Sequence, residues 1–146
     1  MSTMPATRTL VVDREMAHPP EKIWRALTQS ALMEEWLMKN DFQPVVGHTF
    51  HFRSTPTTQW NGVTDCKVLV VEPNRRLSYS WHSSGEEAAN GLGTVVTWTL
   101  TPTPNGTHVR MEQAGFRDED ESFYRGASYG WQRMVAALDK VAARLG

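Results

Sequence analysis

Cysteine is nearly absent from this chain of 146 residues, since Cys66 is the only one. A single cysteine cannot form a disulfide within the chain, and its scarcity is typical of a reducing compartment, so we expect a cytoplasmic protein. The chain also lacks an excess of charge of either sign, because the formal net charge is -1. This balance gives no indication of nucleic acid or an acidic membrane surface as a partner.

Long hydrophobic runs are also missing. The N-terminal stretch MSTMPATRTLVV has no basic region followed by a long apolar segment. We therefore predict neither a signal peptide nor a membrane span. The length suits one domain with a single sizeable core. Neither a repeat nor a linker interrupts the pattern, and we interpret residues 1–146 as one domain.

Tryptophan, by contrast, is abundant, with six residues in the chain. Indole rings are large and hard to pack completely, so each one fills a bulky core or lines an internal pocket. Flat, rigid apolar walls of this kind suit a hydrophobic guest. The sequence leaves both interpretations open for Trp24, Trp36, Trp60, Trp81, Trp98 and Trp131.

Alternation of apolar and polar residues predicts a series of β-strands. The strong turn pair Asn105-Gly106 joins the last two as a hairpin. Two short helices, PPEKIWRALTQ and ALMEEWL, follow the first strand, with Ser30 placed to cap the second. The predicted strands cover 7–16, 48–53, 60–71, 77–81, 94–101 and 107–113.

The C-terminal stretch has the apolar spacing of one long helix, opened by the acidic run 118–122. Gly126 and Gly130 lie in its first turns beside Trp131, and each glycine costs about 1 kcal/mol against alanine. Either a neighbouring element packs closely on them, or they leave room for a ligand. The predicted apolar arc comprises Phe123, Ala127, Gly130, Trp131, Met134, Leu138, Val141 and Leu145.

This order of elements predicts an α+β fold. Hairpin connections make the later strands antiparallel, and the apolar faces of sheet and terminal helix can bury each other. We therefore expect a curved antiparallel sheet of about six strands wrapped around the long C-terminal helix.

Five segments in this order resemble the activator of heat-shock-protein-90 ATPase homologue-like family, from about Thr9 to Leu145. That family belongs to the START-like, helix-grip superfamily, which includes the birch-pollen allergen fold and polyketide cyclases. Gln113 departs from the family, where a histidine is frequent, and Leu37 stands where an aromatic residue is common. The segments are HPPEKIWRALTQSALMEEWL (18–37), VVGHTFHFR (45–53), VEPNRRLSYSW (71–81), GTVVTWTLTPTPNGTHVRMEQAGF (93–116) and YGWQRMVAALDKVAARL (129–145).

The resemblance implies a cavity between the long helix and the concave sheet. Such a cavity would bind a hydrophobic or aromatic small molecule, with Gln113 as a polar group in an otherwise apolar lining. The expected ligand-binding residues are Trp36, Phe42, Phe50, Phe52, Trp60, Trp81, Trp98, Met111, Gln113, Phe116, Trp131 and Met134.

Two alternatives stay open. The family name implies a chaperone partner, as a co-chaperone-like activator of a heat-shock-protein-90 ATPase. The superfamily also contains cyclase and dehydratase enzymes, for which Gln113, Tyr79, Tyr129 and Asp65 are the candidate polar groups.

No catalytic, metal or cofactor motif supports these alternatives. His48 and His51 lie on opposite faces of a predicted strand, which does not suit a metal site. There is no phosphate-binding glycine loop and no nucleophile elbow. We therefore expect no catalytic residue, no metal and no cofactor, in either a monomer or a homodimer.

Overall fold

The computed structural model describes residues 7–56, 62–83 and 93–145. Trp60 and most of the predicted loop 83–93 lie outside the described residues. The elements are β1 (Arg8–Met16), α1 (Pro20–Thr28), α2 (Ser30–Trp36), β2 (Lys39–Asn40), β3 (Thr49–Arg53), β4 (Val63–Glu72), β5 (Arg76–Ser83), β6 (Gly93–Thr103), β7 (Gly106–Phe116), a short 3-10 helix (Asp118–Asp120) and α3 (Glu121–Arg144).

The strands form one curved antiparallel sheet in the order β1-β7-β6-β5-β4-β3-β2. The predicted helix-grip fold is thereby confirmed, with one addition. Strand β2 has only two residues, pairing Lys39 with Arg53 and Asn40 with Phe52. Two residues are too few to show the alternation that predicts a strand.

The hairpin between β6 and β7 turns at the predicted Asn105-Gly106 pair. A Cβ atom at Gly106 would lie 2.0 Å from the carbonyl oxygen of Met16, so only glycine fits there. The last residue of β1 thus packs against this turn. Strand β1 pairs along its length with β7, from Arg8 opposite Phe116 to Met16 opposite Thr107.

Apolar side chains on the concave face of the sheet meet α3 and the two short helices in one hydrophobic core. On α3 the predicted Trp131, Leu138 and Val141 are buried, and so are Val135 and Ala142. The other members of the predicted arc, Phe123, Ala127, Gly130, Met134 and Leu145, are half-buried, so the buried stripe is rotated from that arc towards Val135 and Ala142. On the strands, the buried side chains that face this core include Leu10, Val12, Met16, Phe50, Phe52, Leu77, Tyr79, Val96, Trp98, Leu100, Val109, Met111 and Gln113.

The second short helix begins differently from the prediction. Gln29 is its N-cap, and no side chain caps it. The Ser30 hydroxyl donates instead to the carbonyl oxygen of Asn40, at 3.0 Å. The Asn40 amide donates back to the carbonyl oxygen of Ser30, at 3.2 Å. Ser30 therefore ties α2 to β2, the next element along the chain, through a contact ten residues away that a local capping rule does not contain.

Among the described residues, no helix is both long and apolar enough to cross a membrane.

Candidate functional site

Four tryptophans from four different elements meet in the interior between α3 and the sheet. We call Trp36, Trp81, Trp98 and Trp131 the indole cluster. The centroid of Trp131, from α3, lies 5.7 Å from that of Trp98 and 5.5 Å from that of Trp81. Trp36, at the end of α2, meets Trp98 edge to face at 5.5 Å. Spacings of 4.5–7 Å are those of contacting aromatic pairs, so these rings touch one another directly.

A second group of aromatic rings continues the lining towards β3. Phe42 and Phe50 lie 5.0 Å apart, Phe50 and Phe52 5.3 Å apart, and Phe50 and Tyr79 5.5 Å apart. Phe52 also lies 5.2 Å from Trp81, which joins this group to the indole cluster. The structure therefore brings most of the predicted lining together as one aromatic interior.

Gln113 is the polar centre of this interior, with only 3% of its surface exposed. Its side-chain oxygen accepts a hydrogen bond from Trp131 Nε1 at 2.7 Å. Its Nε2 donates to Thr94 Oγ1 at 2.8 Å, and that hydroxyl donates in turn to the carbonyl oxygen of Trp81 at 3.2 Å. The amide thereby fixes the Trp131 indole of α3 against the sheet.

Two further indole N–H groups of this interior donate to acceptors within the protein. Trp36 Nε1 donates to the carbonyl oxygen of Ala26 at 2.8 Å, and Trp98 Nε1 donates to the Tyr79 hydroxyl at 3.1 Å. Burial raises the pKa of Tyr79 well above its ordinary value. Burial likewise raises the pKa of the Cys66 thiol, and Asp65 and Asp41 add to the shift. Both groups are therefore neutral at physiological pH, and the thiol is unreactive.

The two glycines of α3 face open space. Among the described residues, a Cβ atom at Gly126 would meet nothing within 4 Å, and one at Gly130 would meet only the Met134 methyl carbon, at 3.7 Å. Close packing is therefore not what these positions provide. Gly126 is exposed, whereas a groove of about 370 Å³ opens beside Gly130 on the flank of the helix. It is lined by Trp36, Gly130, Arg133, Met134 and Ala137.

The predicted lining residues divide between this interior, the groove and other places. Met134 is half-buried in the groove, and Trp36 lines both groove and interior. Phe116 is buried but meets Tyr124 edge to face at 5.2 Å, beneath the first turns of α3. Trp60 lies outside the described residues. Buried in the interior are Phe42, Phe50, Phe52, Trp98, Met111, Gln113 and Trp131, with Trp81 half-buried beside them.

The four polar groups considered for catalysis are not brought together. Gln113 and Tyr79 are buried, whereas Tyr129 is 71% exposed. Asp65 lies on the outer face of the sheet, 3.6 Å from His51 Nε2. Within the described ranges, no cluster of three or more histidine, cysteine or acidic side chains could hold a metal ion.

One anchoring contact was missed by sequence reasoning. Asp139 on α3 accepts hydrogen bonds from Arg14 Nε at 2.8 Å and from His18 Nε2 at 2.7 Å. Partial burial would raise the pKa of Asp139, but the bonds to Arg14 and His18 outweigh it and lower that pKa below its ordinary value of 3.8. These residues are more than a hundred positions apart, so no local spacing signals the contact.

Residues 17–143 match the sequence profile of the family described as Activator of Hsp90 ATPase homolog 1-like protein. The chain belongs to this family. The match covers both short helices, six of the seven strands and almost all of α3. A comparison with curated proteins finds no match.

Solved structures of proteins from several organisms share this fold. The crystal structure of MLL2253 from Mesorhizobium loti is 53% identical, with a TM-score of 0.87, 95% of this chain covered and 99% of that one. The solution structure of BH1534 from Bacillus halodurans is 25% identical, with a TM-score of 0.76 and coverages of 95% and 99%. A crystal structure from Rhodobacter sphaeroides is 26% identical, with a TM-score of 0.77 and coverages of 94% and 93%.

Proposed function

We propose that this protein binds a small hydrophobic or aromatic molecule between α3 and the sheet, reached from the groove beside Gly130. The observation that carries the proposal is the open groove in front of Gly130. A helix-interior glycine costs about 1 kcal/mol, and among the described residues only the Met134 methyl carbon, at 3.7 Å, borders the space that a Cβ atom at Gly130 would enter. Trp36 and Met134 border that space and lead to the aromatic interior.

The polar contacts of the interior favour an apolar guest. The indole N–H groups of Trp36, Trp98 and Trp131 all donate to acceptors within the protein. A ligand that offered hydrogen-bond acceptors to them would first have to break these bonds. A ligand that contacts ring faces and the Met134 side chain would not.

The affinity expected from apolar contact is modest. Burial contributes about 25 cal/mol per Å². A planar ligand that buries roughly 300 Å² would gain about 7–8 kcal/mol before ordering costs, so affinities near or weaker than micromolar are expected. Because the indole rings touch in this structure, a guest that enters fully must also separate them.

Tryptophan fluorescence titration tests the proposal. A panel of neutral flavonoid-like, polyketide-like and long-chain aliphatic compounds is added to the wild type and to two leucine variants. Gly130→Leu places a side chain in the groove, and we expect it to weaken binding by about ten-fold or more. Gln132→Leu is the matched control, because it adds the same side chain on the exposed face of the same helix. No change in emission with any compound, or equal binding by both variants, would contradict the proposal.

The two alternative functions stay predictions. A co-chaperone role predicts that the protein changes the ATPase rate of a heat-shock-protein-90 homologue. An enzymatic role predicts turnover of a bound compound that is lost in the Gln113→Ala, Tyr129→Phe double variant. Neither is favoured by a particular contact among the described residues.

A further inference from the structure

A second groove lies at the far edge of the sheet, away from α3. Its volume is about 420 Å³, and it is lined by Leu37, Met38, Lys39, Arg53, Ser54 and Thr55. This is within the size range of small-molecule sites. We call it the edge groove. From its side chains we propose that it binds the carboxylate of a small amphipathic acid, independently of the interior site.

Two cations face each other in the edge groove. Lys39 of β2 and Arg53 of β3 are directly opposite in the antiparallel pair. Residues so placed have Cβ atoms about 5 Å apart on the same face, and two like charges there destabilise the pair. An anion bound between them removes that repulsion.

In the part of the chain that the structure describes, neither cation has a carboxylate partner. Within residues 7–56, 62–83 and 93–145, no carboxylate forms an ion pair or hydrogen bond with Lys39 or Arg53. The nearest acids along these strands are held by His51. Asp41 accepts the His51 backbone N–H at 2.6 Å, and Asp65 lies 3.6 Å from the His51 ring. Both cations are exposed and available to a ligand.

The other residues that line the edge groove indicate the chemistry of the ligand beyond its carboxylate. Leu37 and Met38 are half-buried and present apolar surface next to the charges. Ser54 and Thr55 add hydroxyl groups beside Arg53. The guanidinium fork suits the two oxygens of a carboxylate, and the lysine adds a second charge. A carboxylate with a short apolar chain or ring therefore matches both halves of the edge groove.

Octanoate is the probe, with 1-octanol as its neutral partner of equal chain length and inorganic phosphate as an anion without a chain. Amide chemical shifts are followed by NMR in the ¹⁵N-labelled protein. We expect octanoate to shift resonances of residues 37–39 and 53–55, and to bind about ten-fold or more tighter than either comparison compound. High salt should weaken its binding.

Lys39→Gln and Arg53→Gln should each weaken octanoate binding by about ten-fold, and Lys140→Gln, an exposed charge on α3, should change it less than two-fold. Each variant's own spectrum verifies folding. No shift with octanoate, shifts confined to the interior indoles, equal binding of phosphate or octanol, or unchanged affinity in both variants would overturn the proposal. Neutral ligands of the interior should bind the Arg53→Gln variant and the wild type equally well. Failure of the edge-groove proposal can therefore be told apart from failure of the proposed function.

Discussion

Among single residues, Gln113 has the largest consequences for the interior. Its place on an inward face follows from the alternation of β7, and that prediction is confirmed. Its partners could not be predicted, because Trp131 lies on a helix whose position over the sheet depends on the whole core. The hydrogen bond of 2.7 Å between them exists only once α3 has docked.

Replacing Gln113 with methionine should therefore destabilise the protein strongly. The side chain keeps its approximate volume but no longer accepts from Trp131 Nε1 or donates to Thr94. A buried donor left without a partner costs about 1–3 kcal/mol, so we expect the free energy of unfolding to fall by about 2–4 kcal/mol. Urea denaturation measures the change. Gln132→Met, on the exposed face of α3, should stay within about 0.5 kcal/mol, and an equally small loss at position 113 would disprove the role assigned to the amide.

At the scale of elements, α3 was the most predictable part of the chain. Its periodicity marks the apolar stripe, and Trp131, Leu138 and Val141 are buried as predicted. The extra burial of Val135 and Ala142 results from a second layer of contacts, since α1, α2 and β1 all pack against this helix. Periodicity shows which side of a helix is apolar, but which residues of that side are fully buried depends on where the neighbouring elements pack.

The glycines of α3 show the same limit. The sequence shows that glycine lowers helix stability at these two positions. It does not show whether a neighbouring element packs against them or whether they leave space for a ligand. No described residue packs closely on Gly126 or Gly130. Asp139, later on the same helix, differs from the glycines because the sequence gives no sign of its role. Its partners Arg14 and His18 lie more than a hundred positions away and reach it only in the folded protein.

The Asp139 contact predicts a pH dependence of stability. Its pKa is below 3.8 in the folded protein and near 3.8 in the unfolded chain, so the unfolded state binds more protons between these two values. The stabilisation is therefore fully present above the unfolded value and is lost as the pH falls through the folded one. Asp139→Asn should lower the free energy of unfolding at pH 7 by about 1–2 kcal/mol, and the difference from wild type should shrink as the pH falls below 3.8.

Urea titrations at several pH values measure this difference. Asp13→Asn is the matched control, because Asp13 also meets a histidine and an arginine but at an exposed site. Exposed pairs contribute little, so its effect should stay below about 1 kcal/mol. A pH-independent difference for Asp139→Asn would mean that the carboxylate charge is not what stabilises the contact.

For the whole molecule, the fold was predictable and the shape of the binding region was not. Hairpin turns, strand alternation and one long amphipathic helix leave few ways to bury all the apolar faces. Whether an interior lined by indoles is open or filled depends on distances of a few ångströms between elements. Those distances follow from side-chain packing, which no periodicity encodes.

The single-domain interpretation leads to a test of the whole chain. One hydrophobic core joins β1, the short helices, the remaining strands and α3. Small proteins with one core usually unfold in a single cooperative transition. We therefore expect urea unfolding curves from tryptophan emission and from far-ultraviolet circular dichroism to coincide. The indole cluster reports on contacts between α3 and the sheet, whereas dichroism reports on the helices and strands themselves. An emission change that precedes the loss of dichroism would mean that α3 separates from an intact sheet, and the core would then consist of two independently stable parts.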